Sequence, residues 1–360
     1  MHSSSKIDAV MQPFIDAKEL SGAVTLVADD QQILHLSAVG LRDIEKHLPM
    51  QTDSIFWIAS MTKLITATAI MMLADEKKLS VNDPVAKYIP GFAQLKTADG
   101  IKHEIKLWHL LTHTSGLAEP PGDKAFAAKN LEQLMPTFLD LPLKFAPGEK
   151  WDYCQSSINT LGRVVEVVSG QPFEIYLAER LFAPLGMKDT TFYPTPAQWE
   201  RVAKSYLREK NKITATSIKV LPQRIGHREH YPAANGGLFS TASDYARFCQ
   251  MLLCNGTWQG KQYLSKQAIQ QMTQNQTGKM KVGFVPGSSW GLGFAIVEKP
   301  MGTTETLSPG TFGHGGAYGT QAWIDPVKKR IQILMIQCAD VGNGDDSPFR
   351  SALHESASRI

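Results

Sequence analysis

Two short apolar runs stand close together near the start of the chain. Residues 22–29 (GAVTLVAD) and 32–39 are rich in aliphatic side chains and are separated by a brief polar break. Such runs around a turn predict a β-hairpin. The next short strands are predicted only near the other end of the chain, over residues 290–297, 320–324 and 331–337, and a closing helix is predicted over 348–359.

The middle of the chain has a helical pattern instead. Its longest segment, residues 61–76, is apolar on nearly all sides, so this helix should be buried. Shorter helices are predicted over 107–111, 158–168, 173–181 and 243–253. Strands at both ends with helices between them predict an α/β (α+β) fold with two parts. Residues 1–75 and 285–360 would form a sheet domain, residues 76–284 an inserted helical lobe, and the active site would lie in the cleft between them.

Composition excludes several classes of function. The 360 residues are 43% hydrophobic and 20% charged, with a formal net charge of +3 and no block of like charge, so neither nucleic acid nor a membrane surface is an expected partner. No apolar run of about 20 residues predicts a membrane span. The start of the chain lacks the apolar run of a signal peptide, so the protein is expected in the cytoplasm as written, or in the periplasm or outside the cell if a leader was removed.

Four cysteines in a chain of this length form neither a disulfide framework nor a zinc-binding pattern. They are expected to be small buried hydrophobic residues, and no metal or other cofactor is predicted. The four are Cys154, Cys249, Cys254 and Cys338.

A serine and a lysine three residues apart stand where a polar stretch gives way to the long apolar helix. In residues 60–63 (SMTK), Ser60 and Lys63 should share one helix face, so that the amine reaches the hydroxyl. Free N–H groups at the start of a helix favour an oxyanion there. Apolar neighbours should desolvate Lys63 and lower its pKa towards that of a useful base. The alternative is a serine helix cap followed by an exposed lysine.

Tyr153 is a second candidate, because it follows a Pro-Gly turn and stands just before a predicted helix. A phenol with a reference pKa of about 10 can relay protons if a cation such as Lys63 lowers that value. An aromatic packing residue is the alternative.

The third candidate is His314-Gly315-Gly316, which is predicted to lie on an edge strand lining a cleft. Glycines there let a ligand approach the backbone and its N–H donors. His314 can donate a hydrogen bond to a substrate carbonyl or carboxylate. A structural histidine beside a glycine turn is the alternative.

In this order and with long gaps between them, Ser60, Lys63, Tyr153 and residues 314–316 resemble the three motifs of class C β-lactamases and their relatives. These relatives include D-alanyl-D-alanine carboxypeptidases, D-aminopeptidases, family VIII carboxylesterases and some acyltransferases. The resemblance covers roughly residues 5–340 and implies the β-lactamase/transpeptidase-like fold, an antiparallel sheet from both chain ends flanked by helices. The linking segments agree with it, at residues 56–59 (FWIA), 110–117 (LLTHTSGL), 147–148 (PG), 181–187 (LFAPLGM) and 236–244 (GGLFSTASD).

The resemblance also implies roles. Ser60 would attack a carbonyl and form an acyl-enzyme, while Lys63 and Tyr153 would move protons to and from Ser60, the leaving group and the deacylating water. Which of the two is the base stays open. The backbone N–H groups of Ser60 and Ala317 would form the oxyanion hole. The substrate would contact Gln155, His314, Gly315 and Gly316.

Two positions depart from the family pattern. The usual Tyr-x-Asn ends here in Gln155, and the Lys-Thr-Gly of β-lactamases is replaced by residues 314–316. A permanent ammonium at that place recognises the carboxylate of a penicillin. The imidazole of His314, with a reference pKa of about 6.5, is expected to be mostly neutral and to charge only as the pH falls through that value. This argues against an efficient β-lactamase.

A second serine motif, residues 287–291 (GSSWG), fits the Gly-x-Ser-x-Gly nucleophile elbow of α/β-hydrolases. That elbow requires a strand before the serine and a helix after it. Here Pro286 precedes it and a strand is predicted over 292–297, so a loop entering a strand is expected, with Trp290 as a wall of the substrate site. His113 is likewise predicted to be structural.

The sequence therefore predicts a serine hydrolase acting on a small ester or amide, and most specifically a carboxylesterase of the family VIII type. A D-amino-acid peptidase or weak β-lactamase is the alternative within the same class. A catalytically silent, ligand-binding relative is the alternative outside it, and the intact Ser60, Lys63 and Tyr153 count against this reading. The sequence does not predict the oligomeric state.

Overall fold

The computed structural model describes residues 4–209, 212–217, 227–341 and 345–359. Its α-helices are α1 (Ser4–Asp16), α2 (Thr62–Asp75), α3 (Leu107–Leu111), α4 (Gly122–Ala127), α5 (Leu131–Leu134), α6 (Pro136–Leu139), α7 (Gln155–Ser169), α8 (Phe173–Leu177), α9 (Ala183–Leu185), α10 (Pro196–Trp199), α11 (Ala242–Leu253), α12 (Lys266–Thr273) and α13 (Pro348–Ala357). A π-helix covers Ala178–Phe182, and 3₁₀ turns cover Ala59–Met61, Val85–Lys87, Pro90–Gln94, Gly302–Thr304 and Ala317–Gly319. No described helix is long and apolar enough to cross a membrane.

One antiparallel sheet joins the two ends of the chain. Its eight strands are β1 (Gly22–Ala28), β2 (Ile33–Asp43), β3 (Leu48–Pro49), β10 (Ser288–Trp290), β11 (Ala295–Val297), β12 (Thr311–Gly315), β13 (Gln321–Asp325) and β14 (Arg330–Met335). They lie in the order β10-β11-β12-β13-β14-β1-β2-β3, and β1 pairs with β14 from Val24↔Met335 to Ala28↔Ile331. Short two-stranded pairs are formed by β4 (Phe56–Trp57) with β7 (Phe239–Ser240), β5 (Tyr206–Glu209) with β6 (Lys212–Ala215), and β8 (Thr257–Trp258) with β9 (Lys261–Gln262).

Helices cover both faces of the sheet, so β1 is buried along its whole length. Val24 and Leu26 join the large core that also contains α2 and α11. Ala23 and Val27 face the other way, into a smaller core with α1 and α13. Because successive side chains of a strand point to opposite faces, a strand covered on both sides is continuously apolar. The predicted α/β fold, with a sheet from both chain ends and helices between, is confirmed.

Helix α2 is the buried helix that the sequence predicts, since its residues are buried from Thr62 to Leu73. It follows the 3₁₀ turn Ala59–Met61, which carries Ser60. Ala59, just before the serine, has a φ of 45°, in the left-handed region that residues with a Cβ seldom adopt. The chain thus turns sharply at the point where it presents Ser60. The domain division at residues 75 and 284 remains a prediction.

Three details differ from the sequence-based expectation. Residues 290–297 do not form one strand, since they contain the last residue of β10, a turn and the whole of β11. Gly293 turns the chain there with a φ of 85°, and a Cβ at this position would lie 2.3 Å from the Cβ of Ala67 in α2. His314 lies on β12, which is not an edge strand but pairs with both β11 and β13. Its pairing with β11 stops at Gly313, so the last part of β12 is paired only with β13. Helix α1 was not predicted.

Candidate active site

Ser60 and Lys63 lie together as their spacing predicts. The Lys63 Nζ is 3.1 Å from the Ser60 Oγ, and Lys63 is only 1% exposed whereas Ser60 is partly exposed. Lys63 Nζ also lies 2.8 Å from the side-chain oxygen of Gln155 and 2.6 Å from the backbone oxygen of Asn235. Both of these oxygens only accept hydrogen bonds. A neutral amine has two N–H donors and one lone pair, so satisfying Gln155 and Asn235 turns its lone pair towards the serine hydroxyl.

Burial gives Lys63 the basicity of a working base. Desolvation lowers the pKa of Lys63 to about 7, while the nearby charge of Glu119 acts in the opposite direction. An amine with this pKa is substantially neutral at physiological pH, whereas an exposed lysine is almost entirely charged. The predicted fall in the pKa of Lys63 is confirmed.

Tyr153 stands between the serine and His314. Its hydroxyl is close enough to the Ser60 side chain to influence the tyrosine pKa, and it lies 3.2 Å from the Nε2 of His314. Lys63 Nζ lies over the phenol ring, 4.8 Å from its centroid. The expectation that a cation lowers the tyrosine pKa is wrong, because burial raises the pKa of Tyr153 well above its usual value. Tyr153 is therefore a neutral phenol that can hold and pass on a proton.

His314 is a buried partner of Tyr153, only 1% exposed. Its Nδ1 hydrogen-bonds the backbone oxygen of Gly315, which can only accept, so Nδ1 carries the proton and Nε2 accepts from the Tyr153 hydroxyl. Burial, together with the charge of Lys63, lowers the pKa of His314 to about 3. Charging of His314 near pH 6.5 was a wrong expectation. With both ring nitrogens occupied inside the protein, direct substrate binding by this imidazole is not supported either.

The glycines after His314 bring the chain close to the serine. A Cβ on Gly316 would lie 2.6 Å from the backbone oxygen of Ile58 and 2.2 Å from the Thr320 Oγ1, so only glycine fits there. The next residue, Ala317, lines the same cavity as Ser60. This close approach is what an oxyanion hole built from the N–H groups of Ser60 and Ala317 requires.

Glu119, which the sequence analysis missed, fixes the start of the helix that carries Gln155. Its carboxylate accepts hydrogen bonds from the backbone N–H of Gln155, from the N–H of Ser156 at 3.1 Å and from the Ser156 hydroxyl at 2.8 Å. A carboxylate is favourable at a helix N-terminus. Glu119 thus holds Gln155 against Lys63. The sign of it in the sequence was an acidic residue two positions after the family-like segment 110–117.

Asn235 was missed as well, although it directly precedes the segment 236–244. Its backbone oxygen binds Lys63, and its Nδ2 donates to the Gln155 side chain at 2.9 Å. The contact to Lys63 is made by the backbone, so the side-chain type gave no indication of it.

Trp290 does not form a wall of the substrate site, in contrast to the prediction. It is 0% exposed and packs behind two of the candidate residues, with its ring 5.5 Å from that of His314 and 6.2 Å from that of Tyr153. His113 completes this buried layer. Its ring lies 4.6 Å from that of Tyr153, and its Nδ1 accepts from the backbone N–H of Cys154 at 3.1 Å.

Ser289 is not a nucleophile elbow. It lies in strand β10, is 2% exposed, and its Oγ contacts no hydrogen-bonding partner within the described ranges. A strand holding a buried serine lacks the exposed strand-to-helix turn of that motif.

A cavity of about 230 Å³ opens beside Ser60. One part of its wall is polar and includes Glu119, Gln155 and Asn235. No lysine or arginine belongs to its lining in the described part of the chain. The rest of the wall is largely apolar, with Trp57, Pro120, Phe126, Leu134, Phe138 and Tyr231.

The four cysteines are free, and three of them are buried. Among residues 4–209, 212–217, 227–341 and 345–359, no cluster of three or more histidine, cysteine or acidic side chains could hold a metal ion.

Known proteins resemble this chain over nearly its whole length. Residues 7–353 match the family model Beta-lactamase. Protein Rv1367c of Mycobacterium tuberculosis is 33% identical over 92% of this chain and 90% of its own length, and Esterase EstB of Burkholderia gladioli is 30% identical over 98% and 94%. Among solved structures, EstCE1, a hydrolase with promiscuous acyltransferase activity, has a TM-score of 0.84 at 24% identity and covers 98% of both chains. This chain belongs to the Beta-lactamase family, whose members are serine hydrolases.

Proposed function

We propose that the protein is a carboxylesterase that forms an acyl-enzyme on Ser60. The observation that carries the proposal is the 3.1 Å contact between the Lys63 Nζ and the Ser60 Oγ, at a lysine whose other two acceptors are fixed. Lys63 takes the hydroxyl proton as Ser60 Oγ attacks the ester carbonyl. The N–H groups of Ser60 and Ala317 stabilise the oxyanion.

Lys63 is the base in this scheme, and Tyr153 is the proton donor. The pKa of Lys63 is about 7, whereas burial keeps the Tyr153 phenol protonated. When the tetrahedral intermediate collapses, the bond to the alcohol oxygen breaks and Tyr153 supplies the proton for that oxygen, with Lys63 returning one to the phenol. In deacylation water attacks the acyl carbonyl and gives a proton to Tyr153, while Tyr153 passes one to Lys63. The bond between the carbonyl carbon and Ser60 Oγ then breaks, Lys63 returns the proton to Oγ, and the acid is released.

The charge around the cavity supports a neutral ester over a lactam with a carboxylate. His314 stands uncharged where a β-lactamase has a lysine, and Glu119 adds a negative charge to the cavity wall. A lactam carboxylate, which lies next to the leaving nitrogen, finds no cation at His314, whereas the acyl chain of a simple ester meets the apolar walls of the cavity.

A D-amino-acid peptidase is the second candidate, and Glu119 is the observation that favours it. A carboxylate in the wall of the cavity is able to bind the free ammonium group of an amino-terminal D-residue. Both of its oxygens already accept hydrogen bonds from α7, one from the backbone N–H of Gln155 and the other from the N–H and the hydroxyl of Ser156, so the esterase is preferred.

We expect the purified protein to hydrolyse p-nitrophenyl hexanoate far faster than a chromogenic cephalosporin or D-alanine p-nitroanilide. The site offers no cation for the cephalosporin carboxylate, and the amine of the anilide is a poorer leaving group than the phenol of the ester. The measurement is kcat/KM for the three substrates under one set of conditions. A preference for the cephalosporin contradicts the proposal, and a preference for the anilide favours the peptidase. Absence of turnover and of fluorophosphonate labelling identifies a silent relative.

The pH dependence should report Lys63. We expect kcat/KM for ester hydrolysis to rise through a midpoint near pH 7, because the amine accepts the Ser60 proton only when neutral and its pKa is about 7. Below the midpoint the protonated fraction grows, so the rate should fall about tenfold per pH unit. The profile is measured between about pH 5 and 9 in the native protein and in His314→Asn. A midpoint near 6.5 that disappears in His314→Asn contradicts this assignment, because His314, with a pKa of about 3, should not titrate there.

A further inference from the structure

A phenylalanine is exposed directly against the proposed proton relay. Phe284 is 41% exposed, and its ring lies 4.9 Å from that of Tyr153 in an edge-to-face arrangement. It also lies 6.3 Å from the ring of His314 and 6.0 Å from that of Trp151. The free face of Phe284 is therefore continuous with the aromatic cluster around the phenol that we assign as proton donor.

The segment that carries Phe284 is anchored on both sides. Val282 and Val285 are buried, 7% and 8% exposed. A few residues on, the backbone oxygen of Gly287 accepts hydrogen bonds from the N–H groups of Glu298 and Lys299, each at 2.9 Å. Buried neighbours and backbone hydrogen bonds fix the position of a loop. Phe284 therefore lies on a loop of fixed position, and its apolar surface is exposed to solvent beside the active site.

The two ends of an ester can be assigned to two sides of Ser60. The 230 Å³ cavity is lined by Ser60 and Ala317 but, within the described residues, by neither Tyr153 nor Phe284. When Ser60 attacks a carbonyl, the acyl and alcohol parts of the ester extend in different directions. The alcohol oxygen must lie next to its proton donor, Tyr153. The acyl part then occupies the cavity, and the alcohol part passes Phe284.

We propose that Phe284, together with Trp151, forms the leaving-group subsite and selects esters of aromatic or bulky apolar alcohols. This rests on the proposed function, because it requires Ser60 as nucleophile and Tyr153 as donor. Phe284 determines specificity here and takes no part in the bond-breaking step. An aromatic alcohol packs against its exposed face, as aromatic rings do in protein cores. The acyl side is the cavity of about 230 Å³, whose largely apolar wall suits a hexanoyl chain.

The test compares two esters that share one acyl group, 2-phenylethyl hexanoate and ethyl hexanoate. Both pass through the same hexanoyl-enzyme, so the ratio of their kcat/KM values reports only acylation, when the alcohol is still bound. We expect the native protein to prefer the phenylethyl ester. Phe284→Ala should lower that ratio by about 3- to 10-fold, as for the loss of one aromatic contact. Phe284→Leu keeps apolar bulk, so its ratio should lie between that of the native protein and that of Phe284→Ala.

Two further variants serve as controls. Val327→Ala removes another exposed apolar side chain, 71% exposed on the turn between β13 and β14, and should leave the ratio unchanged. Phe126→Ala lies in the cavity wall and should alter the preference for acyl chain length without altering the alcohol ratio. An unchanged ratio in Phe284→Ala, or an equal fall in Phe126→Ala, overturns the inference while the esterase proposal stands. If the native protein hydrolyses neither ester, both fail.

Discussion

Replacement of Ser60 by alanine should abolish ester hydrolysis, with kcat falling on the order of 10⁴- to 10⁶-fold. The loss should be this large because Ser60 Oγ is the atom that forms the covalent bond, and the activated lysine has nothing else to deprotonate. The stability of the protein should change little, because the partly exposed hydroxyl fills no core space. The measurement is steady-state hydrolysis of p-nitrophenyl hexanoate alongside a thermal melt.

Ser289→Ala is the matched control, because it removes the same hydroxyl from the chain's other serine motif. Ser289 is buried in β10, so we expect this variant to keep most of the activity. Retained turnover in Ser60→Ala together with loss in Ser289→Ala would show that the nucleophile lies in the other motif and would reject the proposed mechanism.

Removal of either proton-transfer group should be nearly as damaging. We expect Lys63→Met and Tyr153→Phe each to lower kcat by about 10²- to 10⁴-fold, the usual contribution of a positioned acid or base. Lys63→Met also leaves the oxygens of Gln155 and Asn235 without their donor. The pH profile separates the two variants, since the rise near pH 7 should vanish in Lys63→Met and persist in Tyr153→Phe.

The double variant tests whether the two groups act as one unit. Because the proton passes between the two groups, the kcat of the double variant Lys63→Met/Tyr153→Phe should be only slightly lower than that of the less active single variant. Losses that multiply would show that Lys63 and Tyr153 work independently. Lys87→Met, at an exposed lysine paired with Asp83 on the surface, is a matched control and should retain native activity.

The sequence was most informative where periodicity and spacing are local. A continuous apolar pattern predicted the buried helix α2, and the three-residue spacing placed the Lys63 amine beside the Ser60 hydroxyl. The apolar runs at both ends of the chain predicted a sheet shared between them, which the pairing of β1 with β14 confirms. Two glycines within residues 290–297 were the available sign that this segment turns, and the prediction did not use them.

The sequence was least informative about environment, because burial depends on contacts between distant segments. A histidine in solution titrates near pH 6.5, but His314 is enclosed by Tyr153, Trp290 and its own strand, so it stays neutral. The same enclosure raises the pKa of Tyr153, where proximity to a cation alone suggested a decrease. The backbone oxygen of Asn235, which fixes Lys63, is a contact that no side-chain pattern reveals.

The most direct test of the central claim is detection of the acyl-enzyme itself. The native protein is mixed with p-nitrophenyl hexanoate, quenched in acid during turnover, digested with trypsin and analysed by tandem mass spectrometry. Peptide 47–63 contains both Ser54 and Ser60, so fragment ions must locate the added group. We predict one hexanoyl group on Ser60, present in the native protein and missing from Ser60→Ala. A hexanoyl group on Ser289 or Ser54, or hydrolysis that proceeds with no covalent adduct, would contradict a mechanism in which Ser60 is the nucleophile.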